Sequence, residues 1–145
     1  MNIIETVKDL LSKCSILDEF NGVHIDYTEG ETGEAGLFSN GATKTGEDLI
    51  GNPRYRIAFT LYTGLRSATE YDRIQNSDLL LRLTYYLDQI KNIAITEDVN
   101  GTEYPGEITR ISCANALLFD YPYGDPNQGV RYQLQISVDY RIDIE

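Results

Sequence analysis

From Val130 to Ile144 the chain alternates without a break. Val130, Tyr132, Leu134, Ile136, Val138, Tyr140, Ile142 and Ile144 share one parity; Arg131, Gln133, Gln135, Ser137, Asp139, Arg141 and Asp143 share the other. A period of two predicts a β-strand with one buried and one wet face. At about 3.3 Å per residue the run would span ~50 Å, well beyond the usual strand of about five or six residues. The strand is therefore expected to outrun its domain's core or to bend, with cover running out over Val138 to Ile144. Leu117, Phe119 and Tyr121 alternate ahead of a loop rich in Pro and Gly, which completes a long C-terminal hairpin.

Elsewhere the period changes. Ile3, Ile4, Val7, Leu10, Leu11 and Cys14 recur at helical spacing, with Asn2 as N-cap and Glu5 three residues on. That helix is expected to end near Ser15. Val23, Ile25 and Tyr27 predict a short strand after the Asn21-Gly22 turn, and Arg54 to Thr63 a strong one. Ser77 is placed to cap a helix from Asp78 to about Lys91, with Leu79, Leu80, Leu83, Tyr86, Leu87 and Ile90 on its inner stripe. Leu81 and Tyr85 fall off that stripe and are expected to meet another surface. Asn100-Gly101 and Pro105-Gly106 read as breakers, and Glu107 to Cys113 as a strand. The segment 28–52 is rich in glycine and acid, with Leu37, Phe38, Leu49 and Ile50 as its bulky apolar residues. It predicts a long excursion, mobile from Glu29 to Gly46, with a strand from Lys44 to Ile50 turning at Gly51-Asn52. The pattern as a whole predicts an α+β fold in one domain, residues 1–145. Two main helices are expected on one face of a mixed or mostly antiparallel sheet.

The formal net charge of −11 argues against binding phosphate backbones or anionic membranes. The N-terminal MNIIETVKDLL has neither the long apolar run of a membrane span nor the pattern of a signal peptide. Cys14 and Cys113 are expected to be free, buried thiols in an intracellular protein. Candidate chemistry is thin. Gly41-Ala42-Thr43-Lys44-Thr45 lacks the glycine before the lysine that a phosphate loop needs. Asp120 and Asp125 lack the spacing of a calcium loop. His24, the only histidine, has no cysteine partners nearby in sequence. No nucleophile elbow or cysteine–histidine dyad is visible, so no catalytic residue, cofactor or metal ligand is assigned.

Three stretches resemble the tail terminator proteins of long-tailed phages, also described as minor capsid or tail completion proteins. They are Asp48-Leu49-Ile50-Gly51-Asn52 leading into Arg54 to Thr63; Ile74-Gln75-Asn76-Ser77 opening a helix that ends Tyr85-Tyr86-Leu87-Asp88; and Ala116 to Asp120, a loop, then Arg131 to Ile136. The likeness implies a non-enzymatic virion protein of the tail or neck, assembled in the host cytoplasm. It would form a homo-oligomeric ring, commonly a hexamer. The ring would cap the tail tube, end its polymerisation and meet the head–tail connector, and in contractile tails the sheath, with DNA passing through its lumen. On that reading Val138, Tyr140, Ile142 and Ile144 are the expected ring interface. Leu37, Phe38, Thr43, Lys44 and Thr45 form the expected loop that docks on the tube or a neighbour. The alternatives are another neck or head-completion ring, or a small binding module using Tyr121, Tyr123 and Tyr132 as a platform.

Overall fold

A computed structural model describes residues 1–14, 23–25, 35–65, 70–120 and 130–145. In chain order the elements are α1 (Ile3–Ser12), β1 (Val23–Ile25), β2 (Ala35–Glu47), β3 (Pro53–Leu65), α2 (Glu70–Asp88), β4 (Ile93–Val99), β5 (Thr102–Asp120) and β6 (Val130–Ile142). The strands form one six-stranded sheet in the order β1-β2-β3-β6-β5-β4. β1 runs parallel to β2 and every other pairing is antiparallel. The fold is thus α+β with a mostly antiparallel sheet and the helices on one face.

The alternating strand lies at the centre of this sheet. β6 is paired along its length with β3, from Arg54↔Arg141 to Leu65↔Val130, and on its other side with β5. Tyr132, Leu134, Ile136, Val138, Tyr140 and Ile142 form its buried face. They share a single core with Ile57, Phe59 and Leu61 of β3, Ile108 and Ile111 of β5, and Leu37 of β2. Ile108 and Ile111 reach the same face despite their odd spacing because the β5–β6 register shifts between Ile108 and Arg110.

The expectation that the distal half of this strand lacks cover does not hold. Val138 is 0% exposed, and Tyr140 and Ile142 are each 7% exposed. The neighbouring strands are as long as β6, so the core continues beneath it. Tyr140 stacks on Tyr55 with ring centroids 5.6 Å apart. Only Ile144 of the expected ring-interface residues is exposed. Val138, Tyr140 and Ile142 thus belong to the subunit's own core, not to a ring interface.

Helix α1 begins as its sequence signals: the Asn2 side chain accepts a hydrogen bond from Glu5 N at 2.9 Å. It buries Ile3, Val7 and Leu11, and Cys14 just beyond its end. The N-terminus also covers the β4 edge, where Thr96 N donates to Met1 O (2.9 Å) and Ile3 N to Glu97 Oε1 (2.6 Å). Satisfying edge groups in this way protects a sheet from stray pairing. Helix α2 buries Leu79, Leu80, Leu83 and Leu87 and is tied to α1 by Tyr86 Oη donating to Leu10 O at 3.2 Å. It starts at Glu70, not at Ser77. The preceding Glu, Arg and Gln are good helix formers, and one serine inside a helix costs little.

Two further expectations change. The excursion over 28–52 is, from Ala35 onward, the thirteen-residue strand β2, hydrogen-bonded to β3. Its outer half, Asn40 to Glu47, is exposed, so no apolar alternation marks it as a strand. Gly41, at φ +92°, lies where the register shifts between Ser39 and Ala42. The expected mobility over Ala35 to Gly46 therefore gives way to strand pairing; Glu29 to Glu34 lie outside the described residues. The breaker Pro105-Gly106 is also absorbed into a strand, β5, opposite Thr96 and Ile95 of β4.

Candidate functional site

The polar parity of the central strands builds a second surface, on the side of the sheet away from the helices. Arg56 and Asp139, in register across β3 and β6, form an ion pair at 2.7 Å. Thr60 Oγ1 accepts from Asn40 Nδ2 (2.9 Å) and donates to Gln135 Oε1 (3.1 Å). Phe38 meets Tyr62 edge-on, with centroids 5.4 Å apart. These contacts tie β2, β3 and β6 together.

The expected docking loop is divided by this geometry. Leu37 is fully buried in the core, which removes it from any docking surface. Phe38 is half-buried on the opposite face. Thr43, Lys44 and Thr45 are exposed on the outer half of β2, where Lys44 Nζ pairs with Glu47 at 3.0 Å. Of the tyrosine platform, Tyr121 and Tyr123 lie outside the described residues, and Tyr132 is buried. Asp125 also lies outside them. Among the described residues no group of three or more His, Cys, Asp or Glu side chains is arranged to hold a metal ion. No helix among them is long and apolar enough to cross a membrane.

Among the described residues the most organised exposed feature is the turn between β2 and β3. Asp48 Oδ1 accepts from Ile50 N (3.0 Å) and Asn52 N (2.8 Å), while its Oδ2 accepts from Asn52 Nδ2 (3.1 Å). The backbone closes the same turn: Asp48 N donates to Asn52 O at 2.9 Å and Gly51 N to Asp48 O at 3.1 Å. Gly51 sits at φ +93°, a conformation that costs glycine nothing. Asn52 is buried, and its Oδ1 accepts from Glu145 N (2.8 Å), joining the turn to the end of the chain. Arg141 lies among three carboxylates: Asp143, Glu107 (3.9 Å) and Asp48 (4.0 Å). Desolvation pushes the Asp48 carboxyl up. The hydrogen bonds from Asn52 and Ile50 and the charge of Arg141 together pull it below its ordinary value.

This network holds Leu49 and Ile50 outward. Leu49 is fully exposed and Ile50 is 68% exposed. Leu49 and Ile50 are thus two exposed aliphatic side chains at the tip of a hydrogen-bonded turn. Sequence marks these two as bulky residues in a polar stretch but does not reveal that they are presented to solvent. Replacing Asp48 by Ala is expected to loosen the tip without unfolding the sheet. Amide exchange at Ile50 and Asn52 should quicken about tenfold or more, as for the loss of at least one hydrogen bond. Unchanged exchange at those amides would contradict the role given to Asp48.

Two groups on the helix side predict alkaline behaviour. Burial, with the charge of Asp88, pushes the Cys113 thiol up to about 12. Burial, with Glu97 and Tyr55, pushes the Tyr140 hydroxyl up to about 12. Unfolded chains ionise these groups near 9.0 and 10.0. Both values are raised by folding, so their contribution is complete below the unfolded values and is lost as pH climbs towards 12. Melting temperature should therefore be flat near pH 8 and fall between pH 9 and 12, with Tyr140→Phe blunting the upper part of the fall. A melting temperature that is constant across that range would contradict this.

Compared with models of known protein families and with curated protein sequences, the chain matches none.

Proposed function

We propose that this chain is a structural virion protein of the tail-terminator type. Copies of it assemble into a ring that caps the tail tube, ends its polymerisation and offers the opposite side to the head–tail connector. The observation that supports this reading is the Asp48-clamped tip, a hydrogen-bonded turn on which Leu49 and Ile50 are exposed and open to a partner. The tip lies in the first of the three stretches that resemble tail terminators. The other two stretches fall within α2 and on the adjacent strands β5 and β6.

Charge supports the same reading. A ring around DNA works best when it does not hold the phosphates, and a chain of net charge −11 disfavours such contacts. The test uses the tail tube protein of the parent virion. Added to growing tubes, the purified chain should appear by electron microscopy as a ring at one end and halt elongation. Tubes that grow on unaltered, with the protein free in solution, would contradict the proposal. Capture by the connector alone would assign the chain to the neck instead.

A further inference from the structure

We propose that the last residues of the chain, Asp143 to Glu145, act as a strap that holds the Leu49–Ile50 tip in place, so that loosening either one loosens the other. A chain end is ordinarily loose unless something ties it down. Here three backbone N–H groups do so. Asp143 N donates to Pro105 O of β5 at 2.8 Å, Ile144 N to Ile142 O at 3.1 Å, and Glu145 N to Asn52 Oδ1 at 2.8 Å. The middle bond spans only two residues and bends the chain sharply. β6 lies between β3 and β5, so the strap crosses the end of β6 from a partner on β5 to the turn that opens β3. Glu145 also lies over that turn: a side chain begun at Gly51 would meet its Cγ at 3.6 Å.

Asn52 carries the coupling. It is buried, and each of its four polar groups is used. Its N and Nδ2 donate to Asp48 Oδ1 and Oδ2, its O accepts from Asp48 N, and its Oδ1 accepts from Glu145 N. The bonds to Asp48 are the clamp that holds Leu49 and Ile50 out; the bond from Glu145 comes from the strap. A buried amide oxygen stripped of its donor must be turned towards water. Turning the Asn52 side chain carries Nδ2 away from Asp48 Oδ2 and opens the clamp. Arg141 links the same parts a second time, with Asp143 of the strap, Asp48 of the turn and Glu107 of β5 around it. Strap and tip thus share one arrangement, and by linkage each stabilises the other equally. The device depends on this geometry alone, whatever the tip meets.

Glu145→Pro tests the strap, because proline lacks the N–H that Asn52 Oδ1 accepts; Glu145→Gln, which keeps it, is the control. Glu145 is exposed, so circular dichroism should match wild type for both. In Glu145→Pro, amide exchange at Ile50 and Asn52 should quicken about tenfold, with Phe59 and Ile136 of the central strands unchanged. In Glu145→Gln exchange should stay at wild-type rates. Asp48→Ala tests the reverse direction: backbone amide relaxation at Glu145 should show its order parameter falling from about 0.85 to below about 0.6. Joined in one chain, Glu145→Pro and Asp48→Ala should quicken exchange at Asn52 by less than the product of their separate factors. Unchanged exchange at Ile50 and Asn52 in Glu145→Pro would overturn the strap. Equal quickening in Glu145→Gln would assign the effect to the side chain and overturn it too. A Glu145 that stays ordered in Asp48→Ala, or factors that simply multiply, would mean two independent contacts and overturn the coupling.

Discussion

Tyr140→Asp combined with Ile142→Asp is expected to unfold the chain, not merely to alter its association. Both side chains lie in the core, at 7% exposure each, on the strand that pairs with β3 on one side and β5 on the other. Tyr140 is stacked on Tyr55 and stands opposite Ile108; Ile142 stands opposite Gly106. Truncating a large buried side chain costs about 2–5 kcal/mol. A carboxyl group placed there must also be desolvated or protonated, at a further cost of a few kcal/mol. Two such changes approach the whole stability of a typical domain, about 5–15 kcal/mol. Circular dichroism should show loss of the folded spectrum at 25 °C. A cooperative melt within a few degrees of wild type would mean that the two residues lie on a free surface.

The second large effect is expected at Gly106. This residue is buried in β5, between Ile95 of β4 and Ile142 of β6. A β-carbon there would collide with the Arg141 carbonyl oxygen and come within 3.1 Å of Ile95 Cγ1. The obstructing oxygen is backbone, held in the ladder of the central strand, so no rotamer change relieves the overlap. Gly106→Ala should therefore force β5 and β6 apart, at the upper end of the about 1–3 kcal/mol typical of overpacking. For a domain of this size that lowers the melting temperature by roughly 5–10 °C. Scanning calorimetry measures it directly, and a melting temperature within one degree of wild type would contradict the close approach.

What sequence revealed and what it concealed follow from how each element buries its residues. The period-two run of β6 and the stripes of α1 and α2 were legible because each sets an apolar face against a polar one. The outer half of β2 was not, because both its faces are exposed and its pairing is written in backbone hydrogen bonds. β4 carries Ile93, Ile95 and Val99 at one parity, a signal present but too short to stand out. Pro105-Gly106 looked like a break because proline is rare in paired strands. Here Pro105 accepts a hydrogen bond from Asp143 N at 2.8 Å, and Gly106 lets β6 pass close. The expected ring interface failed for a related reason. Alternation identifies the buried parity of a strand but not what buries it, and long neighbouring strands supplied cover that a count of helices did not. Leu81 and Tyr85 were correctly read as lying off the core stripe. The exposure of Leu49 and Ile50 became visible only with the Asp48 network that holds them out.

The measurement that bears most directly on the account is the native mass of the purified wild-type protein, taken together with its image in negative stain. The expected result is a closed ring, commonly a hexamer, of 16.4 kDa subunits around an open lumen. A particle that remains a 16.4 kDa monomer at every accessible concentration would contradict it.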